Sequence, residues 1–257
     1  MAAKPIKLKF NQRRLAGFSG NQLKLIAFLL MICDHVGCML IENGVLYGQN
    51  PIYWELALQT PEGQRWYLAA RILRFLGRLS FPIFAFLTVE GFTHTRNVRN
   101  YLLRLALFAA ISEVPFDLAI KGIVWYPEYQ NVLVTLVLAV LSMYFMEKSR
   151  KYPFLQVLTV GFFCAAAWFL RSDYGPVGVL LISVLYLFRM DKNAQLISGA
   201  VISAAESYTY TGVAALSYLL LWFYNGKRGD WALKYLFYFA YPAHLLLFWA
   251  LVYLANR

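Results

Sequence analysis

Nine apolar runs divide this chain from end to end, near 23–41, 72–93, 100–120, 131–147, 153–170, 175–189, 194–208, 212–225 and 233–255. A bilayer's hydrocarbon core is roughly 30 Å thick and a helix rises about 1.5 Å per residue, so about 20 apolar residues span it. Inside lipid every backbone polar group must be satisfied within the chain, which leaves the helix as the form for such runs. The expectation is an all-α, polytopic integral membrane helical bundle of about nine transmembrane helices, with a range of eight to ten because the runs over 175–225 are short. Composition agrees: 60% of residues are hydrophobic and 14% charged, against roughly 45–50% and 25% in soluble domains. Turn-forming stretches separate the runs, among them GQNP at 48–51, RKYP at 150–153, SDYGP at 172–176 and YNGKRG at 224–229. The first run is too long for the apolar core of a cleavable signal, about 7–15 residues, and is expected to stay attached. The organisation read from this is a cytoplasmic basic arm over 1–22 and a single membrane-embedded domain over 23–257.

The net charge is +11, but the basic residues fall in short clusters between apolar runs. That pattern encodes orientation in a bilayer, and no nucleic-acid partner is expected. With the N-terminus inside, the cytoplasmic segments hold 17 of the 24 basic residues. The outer segments hold Arg65, Arg71, Lys121, Arg171 and Arg257, and Arg74 and Arg78 lie within the second run. Cys33, Cys38 and Cys164 sit in apolar runs without a CxxC pair, so free thiols and no metal site are expected.

One run, KLIAFLLMICDHVG at 24–37, carries Asp34 and His35 side by side. An ionisable group at mid-bilayer is costly, so it marks a candidate site. Counted from the inner end, His35 lies roughly 20 Å deep, Glu113 roughly 18 Å, Asp117 about 24 Å, Arg78 about 20 Å and Arg74 about 26 Å. Arg74 and Arg78 are spaced i,i+4, as are Glu113 and Asp117 in SEVPFD, so each pair shares a helix face and can meet the other across the bundle. Two readings stand: a structural ion-pair network, favoured equally for Arg74 with Asp117, and a functional cluster, favoured for Arg78 with Glu113 because His35 shares their layer.

Lys24 precedes His35 by 11 positions. Eleven steps of 100° come within about 20° of three full turns, so the two share a helix face roughly 16 Å apart. A cation at the inner rim and an imidazole within the membrane define a slot of about the length of coenzyme A's pantetheine arm. Acetyl-CoA then fits as donor, with its phosphates near Lys24, Arg96 and Arg99 and its acetyl group near His35 acting as base. Asp34 is turned about 100° from His35, which makes Glu113 the better candidate to orient the imidazole. His94, in EGFTHTR, is either a rim histidine or a cofactor contact. His244, in YPAHLLL, lies roughly 17 Å deep and is either core packing or a second site histidine.

The segments LKLIAFLLMICDHVG, GRLSFPIFAFLTVEGFTHTRN, YLLRLALFAAISEVPFD, NVLVTL, DYGPVGVLLI, YNGKRG and YLFYFAYPAHLLL together resemble, in order, the TraX family, named for the conjugation protein that acetylates the N-terminal amine of a pilin subunit. The Lys24, ten residues, His35 arrangement is also similar to the pattern of the wider transmembrane acyltransferase superfamily. The resemblance implies a bacterial inner-membrane, acetyl-CoA-dependent acetyltransferase. His35 takes the catalytic place with Glu113, Arg78 and Asp34, and Lys24, Arg96, Arg99 and His94 take the donor. Arg74, Asp117 and His244 lie on the acceptor side. The acceptor implied is a pilin-type amine, or another protein, peptide or glycan amine or hydroxyl of the envelope. The competing reading is a multi-span transporter or proton-coupled carrier, which buried Arg, Glu and His also suit; the absence of an evident inverted repeat counts against it.

Overall fold

The Ser19 hydroxyl accepts a bond from the Gln22 amide while the Gln22 side chain accepts from the Ser19 amide, a reciprocal cap that starts the first helix. The protein is seen in a computed structural model that describes residues 17–229 and 234–255. Most of the basic arm, with Lys4, Lys7, Lys9, Arg13 and Arg14, lies outside the described residues, as do Arg257 and the side chain of Lys234. The capped helix, α1, is Gly20–His35, and it runs on as a π-helix over Val36–Val45. Next come α2 (Pro51–Leu58) and α3 (Pro61–Gly77), each with proline in its first turn behind an Asn50 or Thr60 cap. The chain continues as α4 (Ser80–His94), α5 (Val98–Lys121), α6 (Val132–Lys148), α7 (Pro153–Phe169), α8 (Gly175–Leu187) and α9 (Lys192–Glu206). Two short 3-10 turns then lead into α10 (Ser217–Trp222), and α11 is Lys234–Ala255. The fold is all-α, with no strand among the described residues beyond two isolated bridges.

The α4 helix is the core. Nine of its residues are buried, and it packs on α1, α6, α8 and α10; burial around most of the circumference is what a central helix requires. Around it α11 packs on α5 and on the π-helix, α5 on α6, α6 on α7 and α8, and α8 on α9. The α7 helix is the converse case. It buries Phe163 and Ala167 and turns Phe154, Val157, Phe162 and Trp168 outward, a face that only lipid or another protein satisfies. Three helical stretches among the described residues are long and apolar enough to cross a bilayer by themselves: Gly20–Val45, Pro61–His94 and Leu236–Ala255. The molecule therefore has the character of a membrane protein.

Each apolar run of the sequence falls on helical backbone within a few residues, with three departures, one being 212–225, where a 3-10 turn, Val213–Leu216, and the six-residue α10 stand in place of one long helix. The loop expected after 41 contains α2, because Asn50 accepts from the Ile52 and Tyr53 amides and Pro51 supplies a ready-made first turn. The second run is two helices, α3 and α4, that break at Arg78 and Leu79. The loops sort to two ends of the bundle. At one end, Phe18 pairs with the 223–225 backbone, Tyr224 donates to Glu90, and the Lys192 ammonium donates to the Trp222 carbonyl. At the other, Gln49 donates to the Ile120 carbonyl and Gln130 pairs with the 171–173 backbone.

Candidate functional site

One face of α1 lines two adjoining cavities. Lys24, Phe28 and Met31 wall the first, an apolar space of about 140 Å³, and Met31, Asp34, His35 and Cys38 wall the second, of about 310 Å³. Both share Met31, Phe81, Phe84, Val132 and Tyr241, so they lie end to end along the helix. This is the face on which an 11-residue spacing places Lys24 and His35. The second cavity is the polar one, bounded also by Arg74, Arg78, Tyr129, Asp173 and Tyr174.

His35 does not meet a carboxylate. Its Nδ1 lies 2.6 Å from Nε2 of His244, with ring planes 7° apart and centroids 4.9 Å apart, which is two imidazoles bonded edge to edge. His244 Nδ1 lies 2.8 Å from the Ala240 carbonyl oxygen. A carbonyl only accepts, so His244 Nδ1 carries a hydrogen, and Nε2 of the neutral ring is left as the acceptor. His35 Nδ1 must then donate, and its free lone pair is on Nε2. The bond pattern thus assigns both tautomers. His244 is held in turn by Phe28, Tyr241 and Phe248, whose ring centroids lie 5.6–6.2 Å away.

Glu113, expected to orient His35, is elsewhere. Its Oε2 accepts from the Asn131 side-chain amide in a short bond and from the Asn131 backbone at 3.4 Å, so the carboxylate braces the cap of α6. The expected pairing of Arg74 and Arg78 with Glu113 and Asp117 is likewise replaced. Asp34 takes both guanidiniums, Arg74 at 3.3 Å and Arg78 at 3.6 Å, and Glu42 lies 3.7 Å from Arg74. Asp117 accepts from the Tyr126 backbone at 2.8 Å. The cause is the crossing of α1 and α3 at Gly77, where a Cβ would stand 2.3 Å from that of Asp34. Only glycine lets the helices approach that closely. Arg74 also donates to Tyr210 at 3.2 Å, and Arg78 lies over the same ring at 5.0 Å. Arg78 Nε is buried and has no hydrogen-bond partner among the described residues.

Asp173 is a residue of the candidate site that sequence reasoning passes over. It lines the larger cavity, accepting from Tyr129 at 2.6 Å and from the Tyr174 backbone at 3.0 Å. Burial pushes its carboxyl up from the usual range, against the pull of the Tyr129 bond. The turn that presents it is strained: Arg171 and Tyr174 both take left-handed backbone, at φ 51° and 59°, a conformation costing non-glycine residues of order 1 kcal/mol. The stack of Tyr174 on Phe81, with centroids 3.6 Å apart, holds it. Its sequence signal is DYGP, which reads as a turn and as part of a segment that resembles the TraX family, with nothing local to place the carboxylate in the cavity.

At the other end of the slot Lys24 rests over the Phe237 ring at 4.9 Å. Arg96, Arg99 and His94 are exposed around the α4–α5 turn, with His94 bonded to the Glu90 carbonyl at 2.9 Å.

The family model described as TraX protein matches residues 19–252 of this chain, and so takes in both cavities. The chain belongs to the TraX family. Among curated proteins, this TraX-family chain is 28% identical over 254 residues to the probable fimbrial assembly protein FimC, serogroup H1, of Dichelobacter nodosus, covering 90% of this chain and 94% of that protein. No solved structure matches it.

Proposed function

We propose that this TraX-family protein is an acetyltransferase of the bacterial inner membrane, acting from cytoplasmic acetyl-CoA on an envelope amine or hydroxyl, with a pilin-type N-terminal amine as first candidate. The observation that carries the reading is the chain of bonds from His35 through His244 to the Ala240 carbonyl, beside a slot that leads back to Lys24. Family membership and a fimbrial assembly relative support the choice of acceptor. The setting proposed is a bundle of nine spans with the N-terminus cytoplasmic.

The residues fit such a donor. Lys24 stands at one end of an apolar space and His35 on the next, along one helix face. When bound, the donor supplies an acetyl group activated as a thioester. His35 Nε2 takes the proton that the acceptor loses as its nitrogen or oxygen bonds to the acetyl carbon. His244 Nε2, accepting from His35 Nδ1, spreads the positive charge that results, and the Ala240 carbonyl keeps His244 in the tautomer that can do so. Arg78, which lines the same cavity, is the cation that stabilises the negative charge developing on the acetyl oxygen. His35 then returns the proton to sulfur as the carbon–sulfur bond breaks.

The test is labelled acetyl-CoA with the purified protein in lipid and a peptide bearing a free pilin-type N-terminus, followed by mass analysis. Wild type acetylates the terminal amine; His35→Ala loses transfer by about 100-fold or more and still binds coenzyme A. A well-folded His35→Ala protein that transferred acetyl at the wild-type rate would overturn the mechanism.

A further inference from the structure

The turn at 224–229, YNGKRG, counts in the sequence as a break with two basic residues and as one of the segments that resemble the TraX family. The structure staples it to the start of α1. The Gly20 and Asn21 amides, which a helix start leaves without partners, donate to the Lys227 and Arg228 carbonyls, both at 2.8 Å. Phe18 and Phe223 bond at 3.0 Å, as do Asn225 and Phe18, and the Asn225 side chain donates to the Gly17 carbonyl at 2.9 Å. Gly229, at φ 88°, lies so close to Ser19 that a Cβ would stand 2.8 Å from its hydroxyl. The backbone of this turn is therefore fixed, while the Lys227 and Arg228 side chains are exposed and have no ion-pair partner among the described residues.

Lys24 is one helical turn further along α1. Its ammonium lies 4.9 Å from the Phe237 ring centroid, and its backbone is one turn from the Gly20 and Asn21 amides that hold the Lys227 and Arg228 backbone. A Cβ at Gly20, one turn before Lys24, would stand 3.7 Å from the Cα of Arg228. Like charges brought together on a rigid frame repel unless an anion joins them, and Lys24 also opens onto the apolar slot. Among the described residues, Glu90 at this end is occupied by the Tyr224 hydroxyl at 2.9 Å and by His94 at 3.9 Å.

We infer that Lys227 and Arg228, with Lys24, form a phosphate-binding clamp at the mouth of the slot, taking the phosphates of the nucleotide end of the acyl donor. The inference rests on the proposed acetyl-CoA reading and adds to it residues more than 200 positions from Lys24. The same phosphate chemistry is offered by anionic lipid headgroups, and the experiment separates the two sources.

Full-length protein in phosphatidylcholine nanodiscs is titrated with coenzyme A and, separately, with pantetheine, which lacks the phosphates. Substituting Lys227→Ala and Arg228→Ala together removes side chains and leaves the stapled backbone in place. The expected result is a loss of coenzyme A affinity of about tenfold or more, from two charge-assisted contacts. Pantetheine affinity stays unchanged, and the charge-retaining pair Lys227→Arg and Arg228→Lys recovers coenzyme A binding to within about threefold. Equal coenzyme A affinity in wild type and the alanine pair overturns the clamp. So does a change confined to nanodiscs containing phosphatidylglycerol, which assigns the turn to lipid. Turn-dependent coenzyme A binding in a protein that acetylates nothing leaves the clamp standing and sinks only the transferase reading. A wild-type protein that binds no coenzyme A sinks both.

Discussion

Whether an imidazole acts as a base depends on what holds its other nitrogen, and for His35 that is His244 rather than a carboxylate. Two substitutions separate the alternatives. Phenylalanine at 244 fills a space already walled by Phe28, Tyr241 and Phe248 but accepts nothing from His35. His244→Phe is therefore expected to lower turnover by about tenfold to 100-fold with coenzyme A affinity unchanged, read as kcat against Kd. Glu113→Gln keeps an oxygen for Asn131 and is expected to change turnover by less than about threefold; a larger fall would restore Glu113 to the chemistry. These residues also show what a sequence can disclose. Asp34 and His35 stand out because a charge in an apolar run is costly, and Lys24 follows from helical periodicity alone. Depth counted along a helix gives height but not direction, so Glu113 and His244 were equally placed near the level of His35. Their azimuths are set by packing between segments 209 positions apart in the case of His35 and His244, which no local pattern carries.

At the scale of elements, the site depends on how closely α1 and α3 cross. Gly77 meets Asp34 with no room for a methyl group, and a Cβ at Gly37 would stand 2.9 Å from Cγ of Arg74. Gly77→Ala is expected to push the helices apart and break the bridge from Asp34 to both arginines. Overpacking of this kind costs about 1–3 kcal/mol, visible as a lower unfolding midpoint in detergent together with lost turnover. Gly161, mid-way along α7, is the control: nothing lies within 4 Å of its added Cβ, and alanine there is expected to raise stability by up to about 1 kcal/mol through helix propensity. An unchanged midpoint for Gly77→Ala would show that α3 shifts freely and that the ion network is not geometrically tuned. The helices themselves were legible because long apolar runs leave the backbone no other choice. The break at Arg78 and Leu79 and the π-helix after His35 were not, since each falls inside a run that apolar length alone reads as one helix.

For the molecule as a whole, the distribution of charge makes a claim about orientation. The loops gather at two ends, and the end that joins the 17–21 and 223–228 segments also carries Arg96, Arg99, Lys148, Arg150, Lys151, Arg189 and Lys192 on the turns of the same alternation. The opposite end, with the 46–60, 122–131 and 170–174 turns, is poor in them. Cytoplasmic loops retain Lys and Arg because moving them across the bilayer is unfavourable, so the proposed orientation puts the basic end inside. On the proposed function that is also the end at which a cytoplasmic donor would reach Lys24, while the cavity lined by His35, Arg78 and Asp173 lies further along α1, so donor and acceptor would approach from opposite sides. In a background without Cys33, Cys38 and Cys164, a cysteine at Ile123, exposed between α5 and α6, is expected to react with a membrane-impermeant thiol reagent in intact cells. A cysteine at Asn193, exposed at the start of α9, is expected to react only after the membrane is opened. The reverse pattern would put Lys24 and the clamp outside, away from any cytoplasmic acetyl-CoA, and would remove the donor from the proposal while leaving the paired histidines unexplained.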